Sequence, residues 1–155
     1  MSEYLVVKWL HVLSSTILFG TGIGSAYYMI FASLTRDARI VHAVVRYVVI
    51  ADWLFTTTTV FAQPITGLWL VHLAKLPLST QWIAWSIGLY LFAGACWLPV
   101  VWLQIHMRSL AQRAVDEGTL LPGRYWTLLR YWVALGIPAF VALVVVFWLM
   151  VAKPA

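Results

Sequence analysis

Four long apolar runs, separated by short polar segments, dominate the pattern of the chain. The runs lie at about 5–34, 41–73, 82–107 and 125–151, and the polar connectors lie at 35–39, 74–80 and 107–124. A helix needs about 20 apolar residues to cross a bilayer, and each run is long enough to do so. The pattern therefore predicts an all-α membrane protein, in which residues 1–155 form a single four-transmembrane-helix bundle.

Composition supports a membrane location and narrows the choice of partners. Of the 155 residues, 63% are hydrophobic and 10% are charged, whereas a soluble domain carries about 25% charged residues. A net charge of +5 would suggest nucleic acid in a soluble chain. In a membrane chain, basic residues serve instead as topology signals and contacts to anionic headgroups. We therefore expect the lipid bilayer as a partner and no nucleic acid. Cys96 is the only cysteine, which excludes an intramolecular disulfide and a cysteine-rich metal site.

The distribution of basic residues predicts an orientation. Arginines occur in or beside the first and third connectors, at Arg36, Arg39, Arg46, Arg108, Arg113, Arg124 and Arg130, and the opposite side carries only Lys8, Lys75 and Lys153. The positive-inside rule then places these two connectors in the cytoplasm and both termini in the periplasm, in a multi-pass protein of the bacterial inner membrane. The first run is not expected to be a cleaved signal peptide, because its apolar region is too long.

His11 lies in the first apolar run on a face with unusual neighbours. At 100° per residue, Ser15, Gly22 and Ser25 fall within about 40° of it, and Lys8 lies one turn earlier. This face offers an imidazole ligand, a cation suited to a carboxylate, hydroxyl groups and a glycine that a flat molecule can approach. The alternative is a hydrogen-bonded histidine with a structural role.

The other three histidines lie near the ends of the runs. The predicted topology puts His72 near the same face of the membrane as His11, and it puts His42 and His106 near the cytoplasmic face. Paired imidazoles in a helix bundle are a usual way of holding haem. His42 and His106 are interpreted as interfacial side chains that reach headgroups and water. His11 and His72 are therefore the predicted metal ligands.

A second polar face lies along the second apolar run. With Asp52 as the origin, Thr56, Thr59, Gln63 and Thr66 all fall within about 40° of one line along a regular helix. An acid within a membrane is costly and is usually paired inside the bundle or faces a water-filled cavity. Two interpretations remain open: a structural clasp between Asp52 and Arg130, and a proton relay or substrate-polarising acid. A milder stripe in the third run, Ser86, Tyr90, Trp97 and Gln104, is interpreted as core packing.

Several motifs resemble those of known families. They are Lys8-Trp9-Leu10-His11, Phe19-Gly20, Gly24-Ser25-Ala26-Tyr27-Tyr28, Ala51-Asp52-Trp53-Leu54-Phe55-Thr56, Gln63-Pro64-Ile65-Thr66-Gly67, Trp97-Leu98-Pro99-Val100-Val101-Trp102-Leu103-Gln104 and Leu135-Gly136-Ile137-Pro138-Ala139-Phe140. Together they resemble, over essentially the whole chain, an uncharacterised bacterial family of predicted integral membrane proteins. The opening motifs are also similar to those of HemJ-type protoporphyrinogen oxidases and of the copper-resistance protein D family.

The resemblance to HemJ-type proteins implies a b-type haem with His11 as an axial ligand and Lys8 close by. It also implies redox steps coupled to a membrane acceptor such as quinone, with a porphyrin as a further candidate partner. The copper-protein resemblance implies metal handling. The chain has only four methionines, however, and few soft ligands for copper(I).

Three hypotheses of function follow. The first is a haem-binding redox protein, in which His11 and His72 hold the iron, Lys8 neutralises a propionate, and Asp52 with Arg130 forms a proton or substrate site. The second is a transport or channel module for a metal ion or small solute, lined by the face that begins at Asp52. The third is a non-catalytic subunit that pairs with itself or with a partner membrane protein through Gly20 and Gly24, which have the spacing of a helix-packing motif.

Overall fold

The computed structural model describes residues 2–154, and this part of the chain is built from four long helices. They are α1 (Glu3–Leu34), α2 (Ala38–Leu73), α3 (Gln81–Asp116) and α4 (Gly123–Ala152). All four are long and apolar enough to cross a membrane. The prediction of an all-α membrane protein is confirmed: each predicted apolar run lies within one helix, and the described residues contain no strand.

The helix ends explain where the chain turns. Asp37 starts α2, and its carboxylate accepts hydrogen bonds from the backbone N–H groups of Arg39 and Ile40 at 2.8 and 3.4 Å, as an N-cap residue does. Gly118 follows the end of α3 with a φ of +63°. That left-handed conformation lets the N–H groups of Gly118 and Thr119 bond back to the carbonyls of Val115 and Ala114, which closes the helix.

Helix α3 extends further than the sequence predicts. The apolar run ends near residue 107, where arginines begin, but the helix continues to Asp116. The reason is a stripe of buried residues on one face of the extension, formed by Met107, Ala111 and Ala114. Most of the third predicted connector is therefore an amphipathic helix, and only residues 117–122 form the turn.

The core lies at the end of the bundle where the arginine-bearing connectors meet. Its members come from all four helices and the turn before α4: Met29, Val41, Val45, Val49, Val100, Leu103, Met107, Ala111, Ala114, Leu121, Tyr125, Leu128 and Trp132. Within it, the Ser33 hydroxyl donates its hydrogen to the Met29 carbonyl at 2.7 Å. The Ser33 oxygen therefore accepts a hydrogen bond from the Tyr125 hydroxyl, also at 2.7 Å. Outside this core, large apolar side chains cover the helix surfaces. Such a surface is suited to lipid.

Helix α2 is continuous but irregular. Between Asp52 and Thr56 it forms a π-helical turn, which divides it into an N-terminal part (Ala38–Ala51) and a C-terminal part (Thr57–Leu73). The N-terminal part packs mainly on α3, and the C-terminal part packs mainly on α1. A π turn holds one extra residue and so rotates the helix faces that follow it. Of the two polar sites described below, one lies at this turn and the other lies after it.

Candidate functional site

His11 lies at the contact between α1 and the C-terminal part of α2. Its side chain is only 8% exposed, and its Nδ1 atom is 2.8 Å from the Thr66 hydroxyl. Gln63 donates from Nε2 to the His11 backbone carbonyl at 2.9 Å and also to the Ser14 hydroxyl. Two side chains of α2 therefore hold both the ring and the backbone of His11.

The hydrogen bonds around Thr66 favour one tautomer of His11. The Thr66 hydroxyl has a single hydrogen and lies 2.7 Å from the Ala62 carbonyl. Both contacts are satisfied when it donates to that carbonyl and accepts from a protonated Nδ1 of His11. The other ring nitrogen, Nε2, makes no hydrogen bond to a described residue. It also keeps some accessible surface. Its lone pair is therefore available to a ligand, and the ring is fixed by its other nitrogen, as in metal-binding histidines.

Gly67 explains how the two helices approach at this site. A Cβ atom at this position would lie 3.3 Å from Cε1 of His11. Such a contact is too close to be accommodated without a shift of the ring. The glycine therefore allows the imidazole to lie directly against the backbone of α2, one turn after Gln63.

The second polar site surrounds Asp52, at the first residue of the π turn. Asp52 is 6% exposed, and its carboxylate accepts a hydrogen bond from the Thr56 hydroxyl at 2.8 Å. The Thr57 hydroxyl donates to the Asp52 backbone carbonyl at 3.0 Å. The other polar side chain beside this carboxylate is Gln104 of α3, which is 2% exposed. A cavity of about 10 Å³ lies at this point.

A known family matches nearly the whole chain. The model of the family described as "Predicted integral membrane protein (DUF2269)" matches residues 5–154. The chain belongs to this family. No curated protein and no solved structure matches the chain, so the similarity to HemJ-type and copper-resistance proteins stays a prediction from short motifs.

The structure of this DUF2269 protein does not bring His72 to His11. His72 is exposed and lies six residues after Thr66 on α2, which places it about 120° around the helix from the His11 contact. Lys8 is also exposed, one turn before His11 on α1, and its Nζ atom lies 5.9 Å from the centre of the Tyr4 ring. Among residues 2–154, no group of three or more His, Cys, Asp or Glu side chains could hold a metal ion.

Asp52 and Arg130 are also apart. Arg130 is exposed on α4, and within the described residues the Asp52 carboxylate has Thr56 and Gln104 as its polar neighbours. The clasp between Asp52 and Arg130 is therefore not formed in this structure. The physical reason is the packing order, because the π turn packs mainly on α1 and the N-terminal part of α2 mainly on α3, rather than on α4.

The residues that sequence reasoning missed are polar side chains on neighbouring helices. Gln104 was assigned to core packing, and Ser14 was not singled out, yet each lies beside one of the two sites. Tyr90 also has a polar role, because its hydroxyl donates to the Val60 carbonyl at 2.7 Å. The sequence did contain a sign of these roles. A polar side chain in hydrocarbon is costly without a hydrogen-bond partner, so each polar residue of an apolar run requires one.

Proposed function

We propose that this DUF2269 protein is a membrane-bound b-type haem protein of the redox class, in which His11 supplies the iron ligand through Nε2. The observation that carries the proposal is the 2.8 Å contact between Nδ1 of His11 and the Thr66 hydroxyl, whose own hydrogen has an acceptor in the Ala62 carbonyl, while Nε2 has no hydrogen-bond partner among the described residues. This is the arrangement that a ligating imidazole needs.

The residues around His11 fit a haem in part. His11 would hold the iron, and Lys8, one turn away on the same helix, would neutralise a propionate. His72 does not enter the proposal as a ligand, because it lies on another side of α2. The haem would supply one-electron transfer when bound, and a quinone or a porphyrin is the class of partner that would exchange electrons with it. The chain itself fixes the imidazole through Thr66 and holds the His11 backbone through Gln63.

The proposed location is the bacterial inner membrane, with both termini in the periplasm. The support comes from charge: the arginines cluster at the end of the bundle formed by connectors one and three, and such clusters are retained in the cytoplasm. On this orientation His11 lies toward the periplasmic side. Electron exchange at that site would then take place in the outer half of the bilayer.

The test is a spectrum of the full-length protein purified in detergent after expression with added haem precursor. A reduced-minus-oxidised difference spectrum and a pyridine haemochrome assay measure haem content. We expect haem in the wild type and in His72→Ala, and loss of haem in His11→Ala. Because His11→Ala could also disturb packing, imidazole is then added to the folded variant, and it should restore the spectrum by replacing the missing ring.

Three results would contradict the proposal. They are an absence of haem in the wild-type protein supplied with it, full haem content in His11→Ala, and loss of haem in His72→Ala with the fold retained. In the first case the two other hypotheses, a transport module and a non-catalytic subunit, take its place. Flux into proteoliposomes then separates those two.

A further inference from the structure

The Asp52 site lies apart from the proposed haem ligand. Along α2, Gln63 follows Asp52 by 11 residues, a rise of about 17 Å in a regular helix. The helices that complete the two sites also differ, since His11 comes from α1 and Gln104 from α3. The chemistry of the Asp52 site therefore stands or falls independently of the proposed function.

No positive charge compensates the Asp52 carboxyl in the described part of the chain. The cavity beside it is lined by Val49, Trp53, Thr57, Val101 and Gln104, none of which is charged. The buried residues of α1 and α3 offer no cation either. His11 is the only titratable one of α1, and its ring bonds to Thr66 rather than to Asp52, and Cys96 is the only one of α3. An unpaired carboxylate buried in hydrocarbon is strongly disfavoured. A protonated, uncharged Asp52 carboxyl needs no counter-ion in the same place.

Gln104 supplies a second and independent observation. It is 98% buried, lines the cavity and interacts with the Asp52 carboxyl, but the short direct hydrogen bond to that carboxyl, at 2.8 Å, comes from Thr56. A buried amide requires partners. The open volume of about 10 Å³ beside Gln104 and Asp52 is close to the minimum that one water occupies. One water there would bond to both side chains.

We propose that Asp52, Gln104 and the cavity beside them form a proton-binding site within the membrane, in which Asp52 carries an exchangeable proton and one water molecule bridges its carboxyl to the Gln104 amide. The π turn shapes the site, because it brings the Thr56 hydroxyl to the Asp52 carboxylate and the Thr57 hydroxyl to the Asp52 backbone carbonyl. In the exchange, the carboxyl O–H proton passes to the bridging water while the water returns one of its own protons to the other carboxyl oxygen, so no ion is left and no oxidation state changes.

The first test uses dicyclohexylcarbodiimide, which adds to protonated carboxyl groups in apolar surroundings. The full-length protein in detergent at neutral pH is treated with the reagent, and the adduct is located by peptide mass spectrometry. We expect the adduct on Asp52, its loss in Asp52→Asn, and its retention in Glu117→Gln, a control at an exposed carboxyl. Mapping the adduct in the wild type keeps the test valid even if Asp52→Asn fails to fold.

Sodium chloride distinguishes a proton site from a cation site. If a bare sodium ion occupied the cavity, added sodium would protect Asp52 from the reagent. Protection, or the absence of an Asp52 adduct in the wild type, overturns the proposal. Labelling that is independent of sodium supports it.

The bridging water is tested by infrared spectroscopy of the same preparation. The carbonyl stretch of a protonated Asp52 should be absent in Asp52→Asn and should move to lower frequency in D₂O, because the proton exchanges. In Gln104→Leu the band should move to higher frequency, because the carboxyl loses a hydrogen-bonded neighbour. A band that does not respond to D₂O would contradict the exchangeable proton, and one that is unchanged in Gln104→Leu would contradict the bridge.

Discussion

Removing the Tyr90 hydroxyl should destabilise the bundle through a carbonyl on another helix. Pro64 lies inside α2 and has no N–H to donate to the carbonyl four residues earlier, which belongs to Val60. The Tyr90 hydroxyl of α3 donates to that oxygen at 2.7 Å. A tyrosine of one helix therefore replaces the hydrogen bond that a proline removes from another, as membrane helices require.

The magnitude follows from the fate of the Val60 carbonyl. In Tyr90→Phe this oxygen has neither its helical donor nor the hydroxyl, and an unsatisfied buried acceptor costs about 1–3 kcal/mol. Hydrogen bonds between membrane helices average only about 0.6 kcal/mol, because the unfolded state in the membrane also finds partners. We therefore expect a loss of about 1–2 kcal/mol in the free energy of unfolding, a factor of roughly 5–30 in the folded-to-unfolded ratio.

A double-mutant cycle with Pro64→Ala identifies the cause. Alanine restores an N–H that bonds to the Val60 carbonyl, so Tyr90→Phe should cost less in that background, with a coupling of at least about 0.5 kcal/mol. The free energies are measured by unfolding in mixed micelles with increasing sodium dodecyl sulfate. Tyr131→Phe, at an exposed tyrosine on α4, is the matched control and should be close to neutral. An equal cost of Tyr90→Phe in both backgrounds would refute the explanation.

Three further predictions use the same preparations. Gly67→Ala should lower the free energy of unfolding in micelles by about 1–3 kcal/mol, because the added Cβ lies 3.3 Å from Cε1 of His11. In the control Gly88→Ala the added Cβ meets nothing within 4 Å, so the free energy of unfolding should stay nearly unchanged. Equal costs in the two variants would argue against a packing role of Gly67. In a haem titration, Thr66→Val should weaken haem binding about 10–100-fold. Thr58→Val should leave the affinity unchanged, because the Thr58 hydroxyl bonds only to carbonyls of its own helix. Equal affinities in the two variants would contradict the role of Thr66. Alkaline phosphatase fused after residue 155 should be active and a fusion within 117–122 inactive, and the reverse result would invert the proposed orientation.

The positions of the helices could be predicted from the sequence because they depend on local properties. Apolar length is sufficient to identify a membrane helix, and the four runs are confirmed as helices. The extension of α3 was missed because arginines suggested an end to the apolar run. The extension buries only one stripe of residues, which includes Ala111 and Ala114. These few apolar positions do not form a continuous apolar run in the sequence.

The partners of each polar side chain could not be predicted because they depend on which helices are neighbours. A helical wheel assigns a residue to a face but says nothing about the helix that the face meets. His11 was therefore assigned a ligand role without its contacts to Gln63 and Thr66. Asp52 was matched to Arg130 as an opposite charge that could reach across the bundle, although the polar side chain beside it on a neighbouring helix is Gln104 of α3.

The π turn explains why one predicted polar face became two sites. On a regular helix Asp52 and Gln63 share a face, and that was the basis for a single polar path along α2. A π turn includes one extra residue, which rotates the helix that follows by roughly 100°. Asp52 therefore lies beside Gln104 of α3, whereas Gln63 bonds to His11 of α1. The polar residues of α2 are divided between two neighbouring helices by this turn, and each half has its own chemistry.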